Sequence, residues 1–305
     1  MQKGFEAFRR AGPIAMRSPP AAGPGRGILW MLASAFFLAA SNSLVRWVNA
    51  ELHPLQTVFL ALAIVCVCLL PWTARAGLSG FRTRRYGAYA ALIATGTVTI
   101  VAWFFALSLA PLAEATAISF GAPLLVTAAA GLLLGERVDL PRWGAVIVGF
   151  AGTLIILRPG FAEFGTGGAV VLLATAGMAA GYLLTKMLAA HEPVSQIVAY
   201  TTFAQTAATF PLALAVWETP RPGLVPAILA MGATMYFGRL FMVRAFAAAD
   251  ASIVMPIDFA RLPFIALMAY WAFDQKPDLW TWIGAALIVG AALFVMRREA
   301  GARRR

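Results

Sequence analysis

Asp258 and Arg261 have the clearest capacity for chemistry in this 305-residue chain, because both lie inside a long apolar run at 251–273. Side chains three positions apart meet on one face of a helix, so we expect them to form an ion pair. Two interpretations stay open: a structural pair that neutralises itself, or an arginine that binds a substrate carboxylate while the aspartate orients it. Arg239, in the run at 224–246, either faces a binding site or reaches the lipid headgroups by snorkelling.

Uncharged polar side chains lie at a similar depth in other apolar runs. The amides of Asn42 and Gln205 would be costly to bury without a partner, so each is predicted to bond a neighbouring helix or to contact a ligand. Tyr236 is likewise predicted either to bond a neighbouring helix or to contact a ligand. Trp103 either packs against neighbouring helices or forms an aromatic wall for the ligand. The predicted substrate-binding residues are Asn42, Trp103, Ser119, Gln205, Tyr236, Asp258 and Arg261.

Three prolines inside apolar runs are candidates for motion. A proline within a helix removes a backbone hydrogen bond and permits a kink, which is what a gate requires. Static helix bundles contain such prolines as well. The predicted gating or hinge residues are Pro123, Pro256 and Pro263.

The elements that must position these residues are predicted from composition. The chain is 61% hydrophobic and 12% charged, whereas soluble domains are about 45–50% apolar and about 25% charged. The apolar residues form ten runs, most of them long enough to cross a bilayer, and a lipid-embedded segment satisfies its own backbone as a helix. We therefore predict an all-α polytopic membrane protein. The runs are 27–47, 54–72, 86–108, 112–134, 142–157, 167–188, 193–216, 224–246, 251–273 and 279–296.

Basic residues predict the orientation of these helices. If ten spans are threaded, 19 of the 24 Lys and Arg residues fall on one side, which the positive-inside rule assigns to the cytoplasm. Residues 1–26 are predicted to be a disordered basic N-terminal tail and 297–305 a basic C-terminal tail, both cytoplasmic. The expected location is the bacterial inner membrane. Anionic lipid accounts for the net charge of +11 without nucleic acid.

The two halves of the chain resemble each other. Glu114 and Asp250 both open the fourth helix of a set, each within an Ala-acid-Ala-hydroxyl string, and Pro123 and Pro263 follow. This pattern divides the chain into five-helix repeats at 27–157 and 166–296. An odd number of spans per repeat forces opposite orientations in the membrane, which predicts an inverted-topology repeat. Such a repeat gives a molecule two related conformations, one open to each side.

These features resemble the drug/metabolite transporter superfamily, EamA-like branch. The resemblance rests on the two five-helix repeats, the acidic strings, and Gly135 with Glu136 before a glycine-rich fifth helix. The second repeat departs from this pattern, because Asp274 and Gln275 stand where Gly135 and Glu136 would be. The resemblance extends to the aromatic amino acid exporters, and it implies export or exchange of amino acids or related metabolites. Drug exporters of this superfamily place a glutamate on helix one, and helix one of this chain has no acidic residue.

The sequence favours a secondary carrier over an enzyme or a channel. There is no HExxH, no GxSxG and no nucleotide-binding loop, so no cofactor, metal or catalytic residue is expected. A surplus of buried positive charge suits a carboxylate-bearing, neutral or zwitterionic substrate. The alternative is an uptake carrier for a nucleoside-like metabolite such as S-adenosylmethionine. Asp258 beside an arginine is a poor proton carrier, so weak proton dependence is expected. The expected partners are a small-molecule substrate and membrane lipid, and a monomer suffices.

Overall fold

The structure is a computed structural model that describes residues 24–76, 83–109, 115, 118–119, 121–133, 139–157, 166–273 and 279–302. In this part of the chain all regular structure is helical. A short 3-10 turn, Pro222–Leu224, precedes α8. The helices are α1 (Pro24–Asn49), α2 (Pro54–Ala76), α3 (Tyr86–Leu109), α4 (Gly121–Leu133), α5 (Leu140–Leu157), α6 (Thr166–Ala189), α7 (Val194–Leu214), α8 (Val225–Ala248), α9 (Ala251–Asp258), α10 (Arg261–Phe273) and α11 (Leu279–Ala302).

Six of these helices are long and apolar enough to cross a membrane, namely α1, α2, α3, α6, α7 and α8. Two others contain shorter apolar stretches, Trp143–Gly152 in α5 and Trp282–Ala291 in α11. Large apolar side chains such as Leu29, Val67 and Phe210 are exposed, as expected for a surface covered by lipid. The prediction of an all-α membrane protein is confirmed for the described residues, and the number of ten spans stays a prediction.

Each predicted run overlaps at least one described helix, but several ends differ. The fourth run, 112–134, is described only at 115, 118–119 and in α4. Helix α1 begins at Pro24 and α11 continues to Ala302, so both helices extend into the predicted tails, whose boundaries stay a prediction. Residues 1–23 and 303–305 lie outside the described residues. The same is true of the motif residues Glu114, Gly135, Glu136, Asp274 and Gln275.

The ninth run is not one continuous helix, as 251–273 was predicted to be. Helix α9 ends at Asp258, Phe259 and Ala260 form a turn, and α10 begins at Arg261. Pro263 explains the break, because a proline cannot donate to the carbonyl four residues earlier and its ring collides with that carbonyl, here Phe259. The backbone instead forms the hydrogen bonds typical of a 3-10 turn: the N–H groups of Ala260 and Leu262 donate to carbonyls three residues earlier, at 3.0 and 3.1 Å.

Of the three predicted hinge prolines, Pro263 occupies the first turn of a helix, α10, where a missing N–H is tolerated. Pro123 lies in α4, and helix is also assigned before α4, at 115 and 118–119. Pro256 lies in α9, two residues before its end. Among the described residues, the turn at Phe259–Ala260 is the one interruption of a helix that lies next to these prolines. Their role in gating stays a prediction.

The most extensive helix–helix interfaces join the two halves of the chain. Helix α1 packs on α8, α2 on α7, α3 on α6, and α5 on α11. Gly238 of α8 permits the first of these contacts, because a Cβ there would meet the Leu38 side chain at 2.7 Å. Ser34 adds a hydrogen bond from its Oγ to the Gly238 carbonyl at 2.9 Å. The buried core is thus shared between the halves.

Candidate functional site

A cavity of about 200 Å³ lies between the two halves. Its walls come from α1 and α3 of the first half and from α6, α7, α8 and the start of α10 in the second. Sites that hold drug-sized ligands usually measure about 300–1,000 Å³. A ligand of drug size therefore requires this cavity to widen.

Arg239 of α8 lines the cavity rather than reaching the headgroups. Its Nη2 atom donates to the Gln205 Oε1 atom of α7 at 2.7 Å, and its Nη1 atom donates to the Thr202 hydroxyl at 3.4 Å. Both partners are neutral. Within the described ranges no carboxylate pairs with Arg239, so its positive charge is left for a ligand to balance.

Arg261 also lines the cavity, but its charge is already neutralised. Its Nη2 atom lies 2.5 Å from the Asp258 Oδ1 atom, across the break between α9 and α10. The predicted pair is thus formed, although not within one helix. Tyr182 of α6 is a further hydrogen-bond partner of Arg261. Asp258 is 3% exposed and stands behind Arg261, outside the cavity lining.

An aromatic wall forms where α1 and α3 meet. Trp103 and Phe104 of α3 line the cavity, and the Trp103 Nε1 atom is 3.5 Å from the Asn42 Oδ1 atom of α1, a long hydrogen bond. Methionines from α6 and α8, including Met178 and Met235, add flexible apolar surface opposite polar groups. The cavity therefore combines flat apolar walls with amides and one uncompensated guanidinium.

Two predicted site residues do not reach the cavity. Tyr236 is one residue from Met235 on α8, and the rotation of about 100° per residue turns it away. Its ring packs edge-on against Phe237 at 5.2 Å. Ser119 is buried, but it lies outside the lining. The structure thus brings together Asn42, Trp103, Gln205 and Arg261, with Asp258 one contact behind.

Further contacts join the two halves near the ends of the helices that line the cavity. At the end where α3 begins, the Tyr89 and Tyr200 rings pack at an angle of 35° with centroids 4.6 Å apart, and Thr83 donates to the Glu192 carboxylate at 2.7 Å. At the other end the Gln56 side chain makes two hydrogen bonds with the Glu218 backbone, at 2.6 and 3.0 Å.

Gly96 of α3 is a site residue that sequence reasoning missed. It lines the cavity, and a Cβ atom there would collide with the Gln205 Nε2 atom. Gly177 of α6 has the same relation to Thr99 of α3, whose hydroxyl would collide with an added Cβ. The sequence does not show whether a glycine in an apolar helix faces the backbone of another helix or a cavity. The two cases differ only in which side chain lies beside the glycine in the folded protein.

Comparison with known proteins places this chain in a family. A model of the EamA-like transporter family matches twice, at residues 25–158 and 165–297. A riboflavin transporter of Vibrio cholerae is 31% identical over 92% of this chain and 96% of that protein. An S-adenosylmethionine uptake transporter of Rickettsia prowazekii is 26% identical over 90% of this chain and 93% of that protein.

A solved crystal structure has the same fold. It superposes with a TM-score of 0.76 over 89% of this chain and 98% of the other, at 20% identity, which indicates similarity of fold alone. The family matches cover most of the chain and agree with its apolar helices. The chain is a multi-pass membrane protein that belongs to the EamA-like transporter family.

Proposed function

We propose that this chain is a secondary carrier that moves a flat, neutral or anionic metabolite, with riboflavin as the first candidate, by alternating access between its two halves. The observation that carries the proposal is Arg239: a guanidinium that lines the cavity and has only neutral partners among the described residues. A buried cation in that setting attracts electron-rich oxygen and repels positive charge.

The lining is suited to a conjugated ring system. Trp103, Phe104 and Tyr182 offer aromatic faces, and the Asn42 and Gln205 amides provide hydrogen-bonding groups. Riboflavin is uncharged near neutral pH and combines a flat three-ring system with two ring carbonyls. The riboflavin transporter that is 31% identical to this chain supports the same choice.

Amino acids, aromatic or neutral, are the second candidate. Arg239 could receive the carboxylate of an amino acid, as expected from the sequence. The ammonium group is harder to accommodate, because Asp258 lies behind Arg261 and is already paired with it. S-adenosylmethionine faces the same difficulty twice, since it carries both an ammonium and a sulfonium cation. The charge of the described lining therefore favours riboflavin over both.

The arrangement of the helices supports two inverted repeats of five spans. A two-fold rotation that exchanges the halves puts α6 in the place of α1, α7 in that of α2, α8 in that of α3 and α11 in that of α5. The α1–α8 contact then becomes the α6–α3 contact, and the α2–α7 and α5–α11 contacts are each converted into themselves. These are the observed interfaces. Two matches of one family model support the same division. A reporter fused to each terminus is expected to place both termini in the cytoplasm, and a periplasmic terminus would contradict the proposal.

The proposal is tested by uptake into bacteria that lack their own riboflavin synthesis and express this chain. We expect growth on micromolar riboflavin, which phenylalanine and S-adenosylmethionine do not inhibit. Arg239→Gln is expected to abolish growth, and Arg221→Gln is the matched control, because the Arg221 side chain is 84% exposed. Failure of riboflavin, with uptake of one of the other two compounds, would replace the proposed substrate and leave the carrier assignment in place.

A further inference from the structure

The amide of Gln205 has a fixed orientation. Its Oε1 atom accepts a hydrogen bond from Arg239 Nη2 at 2.7 Å, and a guanidinium has no acceptor, so the opposite orientation of the amide would place two donors against each other. The Nε2 atom must therefore point away from Arg239. It points toward Gly96 on α3, where it occupies the space that a Cβ atom would need.

This Nε2 atom carries two N–H donors, and no hydrogen bond within the described ranges uses either. Gln205 is only 2% exposed and lines the cavity. A donor at the wall of a cavity that no protein acceptor uses is available to a ligand, which would supply the acceptor. Arg239 lines the same cavity and retains unused N–H donors beside it.

We infer that Gln205 Nε2 and the Arg239 guanidinium form a donor pair that binds two neighbouring acceptor atoms on one edge of the substrate, and that Gly96 determines specificity by leaving room for the Gln205 amide. The inference rests on the proposed function, because it takes this cavity as the substrate site. It defines the substrate class as a flat group with two adjacent acceptors, such as a ring carbonyl beside an unprotonated ring nitrogen, or a carboxylate.

Gly96 has the central role in this arrangement. A methyl group at position 96 would meet the far end of a flexible side chain, not the backbone of another helix. Gly96→Ala should therefore fold normally while it pushes the Gln205 amide aside and separates it from Arg239. Gly87 lies on the same helix with open space around its Cβ position, so Gly87→Ala is a control matched in chemistry and in helix.

The test measures the KM and maximal rate of riboflavin uptake into proteoliposomes for the wild-type chain, Gly96→Ala, Gly87→Ala and Gln205→Glu. Glutamate removes both N–H donors, and it also places a carboxylate against Arg239 and so compensates the charge that the ligand would meet. We expect KM to rise about tenfold in Gly96→Ala, the effect of one lost hydrogen bond to the ligand, and by more than that in Gln205→Glu, with Gly87→Ala unchanged. Equal KM values for Gly96→Ala and Gly87→Ala would overturn the inference.

Substrate analogues separate recognition from a structural role. The 1-deaza and 5-deaza analogues of riboflavin each replace one ring nitrogen acceptor, beside a carbonyl, with C–H. For one of these two analogues, Gly96→Ala should no longer raise KM, because that analogue already lacks the acceptor to which Gln205 Nε2 donates. A full tenfold effect on both analogues would overturn the donor pair. If the wild type carries another substrate, the proposed riboflavin function fails. The inference is then tested on that substrate: a higher KM for Gly96→Ala than for Gly87→Ala supports it, and equal KM values overturn it.

Discussion

The Lys186 ammonium on α6 donates hydrogen bonds to the Phe246 and Ala249 carbonyls at the C-terminal end of α8, at 3.0 and 2.6 Å. The last carbonyls of a helix lack intrahelical partners, and they carry the negative end of the helix dipole. Lys186 is 6% exposed, so this cation caps α8 from a neighbouring helix in a largely buried setting. It ties α6 to the junction between α8 and α9.

Replacing Lys186 should therefore lower stability more than replacing an exposed cation. Lys186→Met leaves one buried and one partly buried carbonyl without this partner, and we expect a loss of about 1–3 kcal/mol. Arg75→Met, an exposed arginine in the last turn of α2, is the control. Thermal unfolding of the detergent-purified variants, followed by size-exclusion chromatography, measures the difference. Equal melting temperatures for the two variants would show that the cap does not stabilise the fold.

The pair of Asp258 and Arg261 should behave as a unit. Asp258→Leu leaves the Arg261 charge buried without its partner, and breaking a buried pair on one side costs about 3–5 kcal/mol. Asp258→Leu with Arg261→Leu removes both charges, so the double variant should be more stable than Asp258→Leu alone. A double-mutant cycle of thermal stability measures the coupling. Additive effects of the two substitutions would contradict a coupled pair.

Pro263 is predicted to maintain the break between α9 and α10. Pro263→Ala restores an N–H group and removes the ring that excludes the Phe259 carbonyl, so the two helices can join. We expect stability to stay level or rise and the maximal transport rate to fall, because the turn can no longer act as a hinge. Pro71→Ala, within α2 and away from the cavity lining, is the control. An unchanged rate in Pro263→Ala would refute the hinge.

Transport is expected to continue without a proton gradient. Within the described part of the chain no carboxylate lines the cavity, and Asp258, which stands behind Arg261, is already held in an ion pair with it. Substrate flux into proteoliposomes should therefore change less than twofold when an ionophore collapses a pH difference of one unit. A flux that stops under this treatment would indicate proton coupling through a group other than those that line this cavity.

Most of the helical framework could be predicted from the sequence, because the hydrocarbon layer requires continuous apolar runs and leaves few alternatives. The break at Phe259–Ala260 was hidden, since both residues are apolar and the run continues through them. Pro263 is the signal in the sequence, but a proline within an apolar run predicts a kink in one helix, whereas here it lies in the first turn of a new helix.

The site was harder to predict, because depth in the membrane does not determine the direction in which a side chain points. Tyr236 and Arg239 were both identified on α8, yet only Arg239 faces the cavity. Lys186 is a second example, because a lysine near the end of an apolar run does not show by its position that it binds the end of another helix, here α8. Gly96 gave no signal, since its importance depends on a glutamine about 110 positions away.

The most direct test of the account is riboflavin counterflow in proteoliposomes that contain purified wild-type protein, Arg239→Gln or Arg221→Gln. Vesicles loaded with unlabelled riboflavin should accumulate labelled riboflavin transiently and saturably with the wild type and with Arg221→Gln. Arg239→Gln should reduce the initial rate at least tenfold, because it removes the uncompensated charge of the cavity. Wild-type counterflow that Arg239→Gln leaves unchanged would contradict the assignment of this cavity as the substrate site.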